Sequence, residues 1–143
     1  RMNPLYELLR DAGFTVVLHA GIDIGYPCPV RCTPLMIRHV VDRFPGLRVV
    51  AAHMGSHALW RDAEALLVGQ PVYLDTSYSY YLLGKEAMER MIRRHGAENV
   101  LFGTDYPWRS AREEIPNIRS LALPAPDIDS ILCGNALALL NSR

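Results

Sequence analysis

Apolar positions fall along this chain in two alternating patterns. The first is short and continuous: residues 14–21 (FTVVLHAG), 47–55 (LRVVAAHMG), 71–77 (PVYLDTS) and 99–105 (NVLFGTD) are runs of Val, Leu, Phe and Ala bounded by Gly, Pro or polar residues. Runs of that length suit strands buried on both faces, as in a parallel sheet. The second pattern has helical spacing. Residues 4–13 carry an early Pro4 and a terminal Gly13, and residues 33–46 open with Thr33 as cap and Pro34 at the first helical position. In that second segment Ile37, Val40, Val41 and Phe44 share one face. Residues 57–69, 85–96 and 127–141 repeat the helical pattern, the last closing the chain.

The order is therefore helix, strand, helix, strand, helix, strand, helix, strand, loop, helix. It predicts an α/β fold: a parallel βα repeat of four strands and about five helices, with right-handed crossovers. The proline-bearing stretch 107–126 reads as a loop over one end of the sheet. At 143 residues with no polar linker, residues 1–143 form a single domain.

Composition removes whole classes of partner. Fifteen Lys and Arg balance fifteen Asp and Glu, so no net positive field exists to gather nucleic acid or an anionic membrane surface. No apolar run approaches the roughly 20 residues of a membrane span, and no basic start leads into a signal core. The expected location is cytoplasmic. Cys28, Cys32 and Cys133 are odd in number and scattered, which suits reduced thiols better than disulfides or a structural zinc site. Arg1 precedes Met2, so the chain is expected to be a fragment.

Each strand pattern ends on a chemically able residue: His19, His53, Asp75 with Thr76, and Asp105. In parallel α/β folds the carboxyl ends of the strands converge on one crevice, which brings these side chains toward a shared pocket. Imidazole and carboxylate hold divalent metals with a position left open to water, and a further His can move protons. That is a kit for hydrolysis, and it also serves decarboxylation.

The blocks VVLHAG, PGLRVVAAHMGS, VYLDTSY, NVLFGTDYPW and ILCGNALALL, taken in order from about residue 14 to 140, resemble the C-terminal half of amidohydrolase-related metal-dependent hydrolases. The branch they resemble contains aminocarboxymuconate semialdehyde decarboxylase. The resemblance implies strands five to eight of a TIM (β/α)8 barrel. It implies His19 and Asp105 as metal ligands, Asp105 alternatively taking the proton, and His53 as either a second-site ligand or, in the mononuclear branch, the residue that activates water and shuttles protons. It implies a divalent metal, with zinc expected and manganese or iron as alternatives. The implied reaction is attack of metal-activated water on a C–N or C–O bond of a small molecule, with decarboxylation as the alternative. Asn135, in the GNA of residues 134–136, reads as a helix cap.

One departure matters. The family opens with a His-x-His pair, and none occurs among His19, His39, His53, His57 and His95. Four strands are half of a barrel that needs about 250 residues. Such a half should expose two sheet edges and an inward apolar face, which favours self-association or pairing with an N-terminal half. A non-catalytic half-barrel is therefore the rival reading, and divalent metal binding separates the two.

Bland roles compete for several residues. Trp108 and Tyr106 can wall a substrate pocket or cover the sheet end, Arg109 can bind a carboxylate or face solvent, and His57 can touch substrate or cap a helix. Asp75 divides evenly between pocket and turn. Tyr78, Tyr80 and Tyr81 read as packing, His39 as solvated, and His95 as a cation favoured by the dipole at a helix C-terminus. A nucleotide-binding sheet is excluded because HAGIDIG lacks the glycine spacing of a phosphate loop.

Overall fold

The structure, a computed structural model, describes residues 2–26 and 28–141. Four strands, β1 (Thr15–Leu18), β2 (Arg48–Ala51), β3 (Tyr73–Asp75) and β4 (Val100–Leu101), form one parallel sheet in the order of the sequence. Thr15 pairs with Arg48 and Leu18 with Ala51, and β4 joins through Leu74 with Val100 and Asp75 with Leu101. Parallel neighbours need long crossovers, supplied here by α2 (Pro34–Arg43), α3 (Trp60–Leu66) and α5 (Lys85–His95), with a short α4 (Tyr80–Leu83) before the last. A first helix, α1 (Asn3–Asp11), precedes the sheet. None of the helices among the described residues is long and apolar enough to cross a membrane.

The continuous apolar runs of β2 and β4 are explained by burial on both faces. Val49, Ala51, Leu74 and Val100 point into the main core with Ile37 and Val41 of α2, Ala63 of α3, and Met88, Met91 and Ile92 of α5. Val50 and Leu101 point the other way and meet Leu139 of the final helix, flanked by Tyr73 and Ala136. Thr33 caps α2 as expected, its hydroxyl accepting the Met36 N–H at 3.3 Å.

Five expectations are corrected. The stretch 107–126 contains helix α6 (Ala111–Arg119), started by a capping box in which Ser110 and Glu113 satisfy each other's backbone N–H groups. Pro116 lies within that helix, past its first turn, where it removes one N–H from the ladder. The single final helix divides into α7 (Ala125–Asp129), a π-helical turn Ser130–Gly134 and α8 (Asn135–Asn141). Asn135 is a tie rather than a cap: its amide donates to Ala97 O at 2.7 Å and Val100 O at 2.8 Å, pinning α8 to β4.

His95 is buried and neutral instead of a cation set on the helix dipole. Its Nδ1 accepts the Gly69 N–H at 3.0 Å, its Nε2 lies 2.9 Å from Val72 O, and burial lowers its pKa. The exposed inner face is also smaller than expected. The Phe102 N–H, just past β4, donates to Ile131 O at 3.0 Å, and α8 covers Val50 and Leu101, so the apolar edge that faces solvent is that of β1, with Phe14 and Val17.

Candidate active site

The loops at the carboxyl ends of the strands build the site, and Gly21 lets them meet. Its φ is +96°, and a Cβ there would lie 2.2 Å from His57 O and 2.4 Å from His57 N, so only glycine allows the two backbones to touch. The contact is held by His57 N donating to Ala20 O at 2.7 Å and Ile22 N donating to His57 O at 3.0 Å. It brings His19, next after β1, alongside the turn that follows β2.

That turn is strained. His53 and Met54 both have left-handed φ, 61° and 52°, a conformation that costs side-chain-bearing residues about 1–2 kcal/mol each. Asp75 holds the turn: its Oδ1 accepts the His53 N–H and the Ser77 N–H, each at 3.0 Å, and its backbone oxygen accepts the Met54 N–H at 2.6 Å. Trp60 adds a second hold, its indole donating to His53 O at 2.9 Å. Asp75 is thus the turn residue of its two readings and is absent from the pocket wall.

The proton positions on His53 follow from its neighbours. Ser77 spends its hydroxyl hydrogen on Asp75 Oδ1, so Ser77 Oγ and Ser77 O, each 3.0 Å from His53 Nδ1, can both only accept. Nδ1 therefore carries the hydrogen, and neutral His53 presents an Nε2 lone pair. His19 Nδ1 lies 3.1 Å from that lone pair and is its donor, which leaves the His19 Nε2 lone pair free.

An open pocket of about 620 Å³ gathers His19, His53, His57, Asp105 and Trp108 with Ile22, Asp23, Ile24, Gly25 and Tyr78. The His57 ring stands 6.0 Å from that of His53 and 5.9 Å from that of Tyr78. Burial pushes the His57 pKa down, the neighbouring His53 and His19 push the same way, and Asp105 opposes them. Asp105 has a left-handed φ of 62° and is exposed, so no burial penalty attaches to its carboxylate at the end of an apolar strand. Tyr106 and Arg109 stand outside the wall: Tyr106 is 80% exposed, and the Arg109 guanidinium lies over the rings of Tyr78 and Tyr81. Tyr78 and Asp23 were not among the residues expected here, although Tyr78 directly follows the strand-end block DTS and Asp23 follows HAG.

Among the described residues no three His, Cys, Asp or Glu side chains converge as a ready metal cage. The donor chemistry still fits a divalent ion in part: a free imidazole lone pair on His19 and an exposed carboxylate on Asp105 share one pocket.

The family model for amidohydrolases matches residues 1–141. The chain belongs to the amidohydrolase family. Its fold is matched by an uncharacterized TIM-barrel protein of Bordetella bronchiseptica at 29% identity and a TM-score of 0.80, over 98% of this chain and 50% of that one. A dihydroxybenzoic acid decarboxylase of Polaromonas, solved with manganese and the inhibitor 2-nitroresorcinol, matches at 18% identity and 0.70, over 98% and 54%. A 5-carboxyvanillate decarboxylase of Sphingomonas paucimobilis matches at 20% and 0.69, over 95% and 52%. No curated protein matches. This amidohydrolase chain spans about half the length of the solved structures it matches, and its parallel sheet is the corresponding half of their TIM barrel.

Proposed function

We propose that this chain carries the C-terminal half of an active site that uses a divalent metal to decarboxylate a small, planar acid. The observation that carries the reading is the 3.1 Å contact of His19 with His53 in a pocket shared with Asp105, at the carboxyl ends of parallel strands. Aromatic edges from Tyr78, His57 and Trp108 fit a planar ring. Similar folds named as a dihydroxybenzoic acid decarboxylase, solved with manganese, and a 5-carboxyvanillate decarboxylase support the same chemistry.

In this reading His19 and Asp105 would contribute to holding the metal, with further donors from the complementary half. The ion would supply Lewis acidity toward a substrate oxygen. The chain's own residues do the proton work. His53 Nε2 exchanges its contact with the His19 Nδ1–H for a substrate hydroxyl and takes that proton, while its own Nδ1–H stays locked on Ser77. The electrons of the breaking C–C bond return to the ring carbon as CO2 leaves, and a proton reaches that carbon from the pocket wall, where Asp105 and His57 stand. Trp108 and Tyr78 flank the ring.

Hydrolysis of a C–N or C–O bond is the second reading. The family's own description favours it, and the open pocket admits water. The purified protein, incubated with manganese or zinc and a panel of hydroxybenzoates, simple amides and lactones, separates the two. Metal-dependent CO2 release that is lost in His53→Ala supports decarboxylation; amide or lactone cleavage alone supports hydrolysis; no turnover of any of them contradicts both.

A further inference from the structure

A buried carboxylate outside the pocket is used by neither reading. Glu114, on α6, is 2% exposed, and its partners are the Asn117 amide at 3.3 Å and Arg109 Nε at 4.0 Å. A carboxylate taken out of water needs a compensating cation, and Arg109 is the one paired with it. The guanidinium in turn stacks on Tyr81, with Cζ 4.4 Å from the ring centroid, and reaches Tyr78 at 5.7 Å. Arginine over an aromatic face is a directional contact that lysine does not reproduce.

These contacts run from α6 to two walls of the pocket. Tyr78 follows β3 and faces His57, while Trp108 is the neighbour of Arg109 in the loop that follows β4, its backbone N–H donating to Asp105 O at 2.9 Å. We infer that Arg109, anchored by Glu114, is a positioning residue that staples the loop carrying Asp105 and Trp108 to the segment carrying Tyr78 and Tyr81. The role differs from that of a free guanidinium waiting for a substrate carboxylate. It fixes the spacing across the pocket mouth, and so the width of ring the pocket accepts.

The inference rests on the pocket being the reactive site, and its test is read without turnover. In ¹H–¹⁵N spectra of the full chain, the Arg109 Nε–Hε signal is expected upfield of the other arginines because of the tyrosine rings. Tyr81→Leu removes part of the platform at a position that is 56% exposed, so the fold should stand while the upfield shift is lost and the Trp108 indole signal moves. Glu114→Gln, which keeps the shape and the Asn117 contact, should move the same two signals. Arg109→Lys should keep the melting temperature near that of wild type without restoring the Trp108 signal, a split that a purely structural ion pair would not give. Arg109 and Trp108 signals unchanged in Tyr81→Leu overturn the inference, even if Glu114→Gln fails to fold. Absence of turnover in the wild-type chain would defeat the functional reading and leave these spectra decisive.

Discussion

The helix-covered face of the sheet and the carboxyl ends of its strands are built on opposite terms. On the covered face, β-strands and helices meet through fully buried aliphatic side chains such as Val49, Leu74, Met91 and Ile92. Every side-chain-bearing residue with left-handed φ among the described residues, His53, Met54, Ala58, Tyr78 and Asp105, lies instead between a strand and the helix that follows it. Three of those five line the pocket. Strain concentrated where reactive groups converge, and held there by Asp75, Trp60 and Gly21, is the arrangement expected of a functional site. The packed face supplies the stability that such strain consumes.

The sharpest break of this contrast is at Gly21. Gly21→Ala drives a methyl into the His57 backbone and should cost about 4 kcal/mol or more, whereas Gly46→Ala, at φ +86° with nothing within 4 Å, should cost only about 1 kcal/mol. Urea unfolding of the two variants measures the difference, and equal costs would mean that the loops can part without loss. On the packed side, Ile92→Ala should lower stability by about 3 kcal/mol through a cavity in the core, while His19–His53 contact signals in the spectrum of its folded state remain.

The strained side should respond with the opposite sign. Asp105→Gly removes a left-handed side-chain residue from an exposed position and should stabilise the chain by about 1 kcal/mol while abolishing metal-dependent chemistry. Loss of stability there would show that the Asp105 side chain, not its backbone, shapes the loop. The smallest effect is a pH dependence from His95. Its folded pKa is lowered by burial, so between that value and the ordinary value of about 6.5 the unfolded chain binds the extra proton. Its stability contribution is full above about pH 6.5 and is lost as pH falls through the folded value. His95→Gln should flatten that decline in thermal melts taken from pH 7 downward.

Much of the fold is legible in the sequence because the strands of a parallel sheet write themselves as unbroken apolar runs, and all four strands fall inside the segments read that way, β1 included although its Val17 faces solvent. Helix α6 is hidden by its prolines. Pro107 and Pro116 suggest a loop, while the overriding signal is the Ser110 and Glu113 capping box. His95 misleads for another reason: RRHG at a helix end looks like a cation set on the dipole, and only the tertiary fold brings Gly69 and Val72 against the ring. At the site, strand-end position pointed to His19, His53 and Asp105, which share one pocket. Asp75 obeys the same positional rule and yet turns inward to hold the His53 N–H, because strand-end position alone does not separate a wall residue from the residue that braces it. Tyr78 needed knowledge of its left-handed turn.

The central claim is that the strand ends of this chain contribute His19 and Asp105 as donors to a divalent ion. Calorimetric titration of manganese into the wild-type chain and into the His19→Ala, Asp105→Ala double variant addresses it most directly. Saturable binding to the wild type that disappears in the double variant is the predicted result. Binding that is the same in both, or absent from both, would contradict it.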